Sequence, residues 1–416
     1  MKVYLRTFGC RANQYDTEAV RAMLLTSGHT MAVSPIDADV AVFNSCAVTS
    51  DAEAELRKAV RRAAREQPTL RSIVMGCAAS LDADRPGSMQ IARLPSVEHV
   101  VAGGDLAAVA AALELDLEVA ALGTSVQSGT RALLRVQDGC DEHCTFCATT
   151  MARGANRSRD PGQIVREAIT LAERHAEIVI TGIHIGTFGH DIGTSLGDLM
   201  VRLVRAVPTV RFRLSSIEAT EVGDALSDLL FGCPRQVAPH VHAPLQSGSN
   251  RLLRRMGRHW YTVDTYAAAV GRLAATMPIL GLGADLITGF PGETEADHAA
   301  TMQLVARLPF TYLHVFPYSV RPGTAAVQLP DHVASITSRR RARELRELGA
   351  RKSADYVSHR AGGSVDVIVL GGQRGREGLT GDYLSVVPSD PALPRGTRFD
   401  GRLVVEADRL LALRTE

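Results

Sequence analysis

The sequence predicts an α/β protein in three parts: a parallel-sheet amino-terminal domain, a partial barrel of strand–helix units, and a small all-β module at the carboxyl end. Three observations lead to this. Short apolar strands alternate with helical stretches over residues 3–77 and again beyond residue 132, the pattern of a parallel sheet. A weakly patterned stretch rich in Ala, Gly and Ser, 108–128, separates the two series. After a charged helix over 333–357 the pattern changes to short strands divided by Gly and Pro, as in small β barrels. The domain limits so read are 1–122, 126–357 and 360–416, with a boundary near 125.

Taken in order, Val3 to Thr7 reads as a strand, Thr17 to Thr26 as a helix, and Asp39 to Phe43 as a second strand. Ser50 is placed to cap a helix that runs to about Gln67 and stops before Pro68. Ser72 to Met75 is a third strand. In the second part, strands are expected at Ala132–Val136, Glu177–Thr181, Val210–Leu214, His240–Pro244, Gly283–Thr288 and Tyr312–Phe316, with helices such as Pro161–His175 and Val263–Met277 between them. That succession suggests a complete or partial parallel barrel. The last part offers strands at Ser364–Leu370, Tyr383–Pro388, Thr397–Val405 and Arg409–Leu413.

Composition excludes some classes. The net charge of +1 rules out a polycation, so any contact with nucleic acid must come from local patches. No apolar run of about 18 residues suggests a membrane span, and the amino terminus carries no signal pattern. The expected location is the cytoplasm, where cysteines serve more often as metal ligands or catalytic groups than in disulfides.

The seven cysteines carry the functional argument. Cys10, Cys46 and Cys77 each sit just past the carboxyl end of an expected strand. In an open parallel sheet those ends share one edge, where ligands bind. Thiols about 30 residues apart can meet there, although buried apolar cysteines are the simpler alternative. Cys140, Cys144 and Cys147 have C-x3-C-x2-C spacing on one loop. Thiolates favour iron–sulfur clusters or zinc. Three cysteines on a cubane leave its fourth iron open to a substrate group. Cys233 has no partner at ligand spacing and reads as a structural or incidental thiol.

The loop Cys140 to Cys147, with Phe146 before its last cysteine, resembles the radical S-adenosylmethionine superfamily. Residues Thr7–Glu18, Asn44–Thr49 and Met75–Cys77 look like the three cysteine motifs of the methylthiotransferases within it. Asn13–Glu18, Cys46–Thr49, Leu214–Glu218 and His314–Ser319 are similar to the branch acting on N6-threonylcarbamoyladenosine beside the tRNA anticodon. Gly378–Tyr383 resembles the TRAM module, a small RNA-binding β barrel. The resemblance implies two 4Fe–4S clusters, a radical one on Cys140, Cys144 and Cys147 and an auxiliary one on Cys10, Cys46 and Cys77. It also implies S-adenosyl-L-methionine as methyl donor and radical source, tRNA as partner, and a reduced flavodoxin or ferredoxin type electron donor.

Barrel sites lie at the carboxyl ends of strands. With the resemblance, that position makes Phe146, Thr181, Gly182, His184, Ser216, Glu218, Gln246, Arg258 and Thr288 candidates for holding S-adenosylmethionine, Arg258 at its carboxylate. His184, His242 and His314 are each expected to be core histidines first, with His184 nearest to function. Asn13, Arg153, Arg157 and Arg159 are the substrate or RNA candidates, and Arg57, Lys58, Arg61, Arg62 and Arg65 form a second basic group on a helix.

The chain departs from the family pattern twice. Ala148–Met151 replaces its usual aliphatic residues and proline. From Arg360 to Glu416 eight Arg balance eight acidic residues, a poor charge for phosphate contact. The same chemistry on a peptide, ribosomal protein or small metabolite is therefore the alternative, and a zinc-bearing RNA-binding protein without catalysis a third reading.

Overall fold

Val40 and Val42 face one side of an expected strand, Ala41 and Phe43 the other, and all four are buried. A strand covered on both faces belongs inside a parallel sheet. The computed structural model describes residues 1–47, 50–82, 90–115, 127–371, 377–406 and 409–415. In it, strands β1 (Lys2–Thr7), β2 (Thr30–Met31), β3 (Val40–Ser45), β4 (Arg71–Gly76) and β5 (Val97–Ala102) pair in the order β2-β1-β3-β4-β5, all parallel. Helices α1 (Arg11–Thr26), α2 (Ser50–Glu66), α3 (Cys77–Asp82) and α4 (Leu106–Ala112) cover it. Val20, Met23 and Leu24 of α1 with Val109 of α4 fill one face, and Leu56, Val60 and Ala63 of α2 the other. The expected boundary near 125, and Val48 and Thr49 of the second cysteine motif, lie outside the described residues.

The sheet domain holds elements beyond the sequence reading, the short strand β2, helices α3 and α4 and strand β5, and one expected helix starts earlier. Helix α1 begins at Arg11 rather than Thr17, because Cys10 keeps an extended backbone and its carbonyl accepts the Gln14 N–H at 3.1 Å. Strand β5 was not expected: only one of its six residues is buried, so it has no apolar run.

The second part contains β6 (Ala132–Arg135), the short antiparallel pair β7 (Gln137–Asp138) and β8 (Arg157–Ser158), then β9 (Glu177–Thr181), β10 (Arg211–Leu214), β11 (His240–His242), β12 (Gly281–Thr288) and β13 (Tyr312–Pro317). Parallel sheets β6-β9-β10 and β11-β12-β13 are joined by single bridges, Phe212–Val237 and Ser216–His242. Six parallel strands thus follow chain order in a partial barrel, with helices outside and one apolar core. Among the described residues β13 does not pair back to β6.

After helix Ser335–Arg360, strands β14 (Ser364–Val369), β15 (Gly378–Thr380), β16 (Ser385–Pro388), β17 (Arg398–Glu406) and β18 (Arg409–Arg414) close a small barrel. It docks at the amino-terminal ends of β9 and β10. There the buried Arg211 donates to Asp366 O (2.7 Å), and the buried Arg213 to Gly381 O and Thr380 O (2.9 Å each). Glu177, fully buried, pairs with both guanidiniums at 2.6 and 2.9 Å. A charge without solvent is tolerable only with such partners. No helix among the described residues is long and apolar enough to cross a membrane.

Candidate active site

Strands β1, β3 and β4 are neighbours, so the cysteines that follow them arrive at one edge of the sheet. Cys46 and Cys77 are buried and Cys10 is exposed. Asn13, wholly buried on the first turn of α1, organises the group. Its amide N–H donates to Ser45 O (2.6 Å) and Phe8 O (3.3 Å), and its Oδ1 accepts from the Cys10 and Cys77 thiols at 3.6 and 3.7 Å. Gly9 is left-handed (φ +99°), and a Cβ there would lie 2.3 Å from Cys46 Sγ, so glycine is required for the approach. Burial pushes the Cys77 thiol up to about 11, against the pull of the Arg153 guanidinium.

The second group is local. Gly139 (φ +73°) turns the chain out of β7, and a Cβ there would meet Ala155 O at 1.9 Å. The Cys140 N–H donates to Gly154 O (3.0 Å), and the Thr145 N–H to Met256 O (2.9 Å), which hold the loop between two walls. Gln137 fixes the neighbouring strand end: its Oε1 accepts from Ile183 N (3.0 Å) and His184 N (2.9 Å). Around the thiols stand His184, with Nδ1 3.8 Å from Cys140 Sγ, and Arg258, which donates to Cys144 Sγ at 3.6 Å. Burial lifts the Cys144 thiol to about 12, partly offset by Arg258. Burial disfavours the charged His184 imidazole, but contacts to Cys140 and Glu221 (2.8 Å) outweigh it and carry it up to about 10.

Arg153 joins the two groups. It lies on the short helix Thr149–Arg153 that follows Cys147, and this helix packs against α3. Its Nε donates to Cys77 Sγ (3.3 Å), and its terminal nitrogens to Asn13 Oδ1 (2.8 Å), Asp16 (2.7 Å) and Asp138 (3.0 Å). Ala148 and Ala152 sit in the same apolar cluster as Cys46 and Cys77. The stretch Ala148–Met151, which departs from the family pattern, therefore seats the loop of one triad against the other, with Met151 exposed.

The strand ends near Cys140 are polar and incompletely paired. Thr181 Oγ1, Glu218 Oε2 and Glu221 Oε2 are buried without hydrogen-bond partners among the described residues. Unpaired buried oxygens are costly, and their clustering beside three thiols fits a polar ligand. Glu218 pairs with Arg258, whose Nε donates to Tyr261 OH at 2.9 Å. Gln246 is left-handed (φ +64°), a strained state for a non-glycine residue at a strand end. Ser216, just past β10, is exposed and bridges His242, and Gly182 has room for no Cβ, with Gln137 O at 2.9 Å. Six thiols, none in a disulfide, in two sets of three are a donor set suited to two cubane clusters.

Several placements depart from the sequence reading. Phe146 packs edge-on against Phe290 in an apolar cluster. Thr288, wholly buried, donates through Oγ1 to Ser338 O of the long helix (3.2 Å), which ties barrel to helix. The expectation of RNA contact is corrected for Asn13 and Arg153, since both are buried within the first triad. Arg159 is occupied by Glu167 (2.7 Å) and Arg135 O (2.6 Å). Arg157 remains exposed. Sequence reasoning missed Asp16 and Glu221; Asp16 lies in the first motif, which was its only signal. Cys233 stands apart from both triads, at the end of helix Asp224–Gly232.

Residues 2–101 match the uncharacterized protein family UPF0004 and residues 134–305 the radical SAM superfamily. The chain is 33% identical over 404 residues to the threonylcarbamoyladenosine tRNA methylthiotransferase MtaB of Aquifex aeolicus, which covers 93% of this chain and 96% of that one. It is 32% identical to the Bacillus subtilis protein of the same name, over 92% and 90% of the two chains. It is also 32% identical to the tRNA-2-methylthio-N(6)-dimethylallyladenosine synthase of Mycolicibacterium vanbaalenii, over 96% and 80%. Among solved structures, the radical S-adenosylmethionine methyltransferase TsrM of Kitasatospora setae shares the fold, with a TM-score of 0.57 at 14% identity over 78% of this chain and 76% of that one.

Proposed function

We propose that this chain, which belongs to the radical S-adenosylmethionine methylthiotransferase family, inserts sulfur and a methyl group at C2 of N6-threonylcarbamoyladenosine in tRNA near the anticodon. The observation that carries the reading is the pair of cysteine triads bridged by Arg153. Cys140, Cys144 and Cys147 hold the radical 4Fe–4S cluster, and Cys10, Cys46 and Cys77 the auxiliary one. When bound, the first supplies the electron that splits the S-adenosylmethionine sulfonium, and the second supplies sulfur.

The chain's own residues bind and orient. Arg258 meets the methionine carboxylate, a pairing suited to its planar fork, and its bond to Glu218 fixes the fork beforehand. Glu218 and Ser216 face ribose hydroxyls, and Thr181 with Gly182 admits the methionine amine. Asn13 holds the Cys10 and Cys77 thiols at hydrogen-bond distance, and Arg153 the Cys77 thiol.

Phosphate contact falls to exposed cations. Arg57, Lys58, Arg61 and Arg65 line one solvent face of α2 without acidic partners among the described residues, and Arg157 is exposed beside the radical loop. The carboxyl-terminal barrel contributes less: Arg360, Arg395 and Arg398 are engaged with Asp382, Thr130 and Asp366. A flavodoxin or ferredoxin type donor in the cytoplasm would supply the electron. The neutral charge of that barrel is what favours the second reading, the same chemistry on a peptide, ribosomal protein or small metabolite.

The test is iron per chain in protein purified without oxygen, together with nucleoside analysis of tRNA. Wild type should hold about eight irons and a Cys10/Cys46/Cys77→Ala variant about four. Equal iron in both would remove the auxiliary cluster. Two clusters without any methylthio-adenosine derivative in tRNA would remove the substrate.

A further inference from the structure

A line of polar side chains runs along the inner wall of the barrel and has no part in holding either triad. His240 Nε2 lies 2.7 Å from Tyr312 OH, and the same hydroxyl lies 3.0 Å from His242 Nδ1. His242 Nε2 is 3.0 Å from Asp285 Oδ1, and that oxygen is also 3.2 Å from His314 Nδ1. The two ends of the line differ in exposure. His240 is 1% exposed, the Asp285 side chain 26%, and the His314 side chain 49%. The chain is closed at the His240 end, where Tyr383 of the small barrel stacks on the imidazole at 4.3 Å between centroids. It is open at His314.

The place is defined by its neighbours. Asp285 O accepts from the Gln246 N–H at 2.8 Å, and His242 O from the Ile217 N–H at 3.0 Å, so the wall adjoins the strand ends that carry Ser216, Glu218 and Gln246. On the other side Arg11, next to Cys10 in the chain, reaches Tyr383 OH at 3.5 Å, and Tyr383 lies 5.2 Å from Tyr312. The wall therefore adjoins the strand ends beside the radical loop and, at its closed end, touches the amino-terminal domain through Tyr383 and Arg11.

We infer that His314 binds the target base, oriented by Asp285, which acts as a positioning residue. With Nδ1–H donated to the carboxylate, the free ring atom is Nε2, which has no partner among the described residues. A carboxylate behind an imidazole selects the tautomer and aims the far nitrogen, the arrangement that gives a histidine a defined lone pair. Phe316, 45% exposed and edge-on to His314 at 6.3 Å, adds an apolar face on the same side. A hydrogen-bond acceptor beside an exposed ring suits a flat, N–H-bearing heterocycle, and an adenosine with a substituted N6 amine is one. The inference rests on the proposed tRNA substrate.

The experiment compares His314→Ala, His314→Asn, His314→Gln and Asp285→Asn holoenzymes. Readouts are modified nucleoside, KM for tRNA, 5′-deoxyadenosine formed per modified nucleoside, metal content, and 5′-deoxyadenosine formed without tRNA. Gln carries its polar group about as far as Nε2, whereas Asn reaches only the Nδ1 position. Ala and Asn should lower kcat/KM for tRNA at least about tenfold, one lost hydrogen bond to substrate, and raise the deoxyadenosine ratio as the base is misplaced. Gln should recover part of both, and Asp285→Asn should raise the ratio more than KM. Tight coupling and unchanged KM in His314→Ala would overturn the inference. So would loss of one zinc per chain in that variant, which would make His242, Asp285 and His314 a metal site. Iron content and tRNA-independent cleavage equal to wild type show that the variants are folded. A wild type that cleaves S-adenosylmethionine but never modifies tRNA would sink the tRNA reading and this inference with it. A wild type that modifies tRNA beside an unaffected His314→Ala would sink this inference alone.

Discussion

The two cysteine triads are built in opposite ways. Cys140, Cys144 and Cys147 occupy eight consecutive residues on one loop, clamped by Gly154 and Met256 carbonyls. Cys10, Cys46 and Cys77 come from three strands and depend on the sheet order to meet at all. A local loop can present its thiols whenever its two ends are held. A dispersed triad exists only if the whole amino-terminal sheet has folded. The first is thus a product of spacing, and the second a product of topology.

The sharpest way to break the comparison is to remove one thiol from each. Cys144→Ala should abolish 5′-deoxyadenosine formation altogether, whereas Cys10→Ala should leave tRNA-independent cleavage intact and abolish the modified nucleoside. Loss of cleavage in both would show that the triads do not act separately. Glycine substitutions ask the same question through the backbone. Gly139→Ala should cost the radical loop its cluster, about four irons, since its Cβ would overlap the Ala155 carbonyl. Gly9→Ala should cost the other cluster instead. A Gly139→Ala protein with full iron and full cleavage would mean the loop tolerates the shift.

Arg153 measures how far the triads are coupled. Arg153→Met takes one of its two guanidinium partners from Asp16, 1% exposed, leaving Arg135 (2.5 Å), and removes a donor to Cys77, so its cost should stay at or below that of a fully broken pair. Breaking a buried pair by removing one partner costs about 3–5 kcal/mol, which urea unfolding of the holoprotein would register. A change below about 1 kcal/mol would place the bridge among weak surface pairs. Asn13→Ala should act more mildly, about 1–3 kcal/mol for the two carbonyls left unpaired, with iron loss confined to the amino-terminal triad. Equal iron loss from both sites would contradict the separate construction.

Much of this was legible in the residues. The strand–helix alternation gave the parallel sheets, and the change of pattern after the charged helix gave the small barrel. The loop Cys140–Cys147 announced itself by its spacing together with Phe146 before the last cysteine and the strand just upstream. Less legible were the partners of charged groups. Arg153, Arg157 and Arg159 look equivalent in sequence, yet the first is buried against Cys77, the last is paired with Glu167, and only Arg157 is exposed. Strand β5 escaped notice because an exposed edge needs no apolar pattern.

What the sequence determined by itself is short-range: the spacing of the radical loop, the glycines that turn it, and the fact that each early cysteine ends a strand. Those follow from neighbours within a few residues, where backbone geometry is nearly fixed. Tertiary structure decided the rest. It made β1, β3 and β4 adjacent, set Arg153 beside Asn13 across 140 positions of chain, and brought His242, Asp285 and His314 from three strands to one wall. The physical reason is that burial and pairing of a charge depend on which distant surface covers it, and no local pattern encodes that surface.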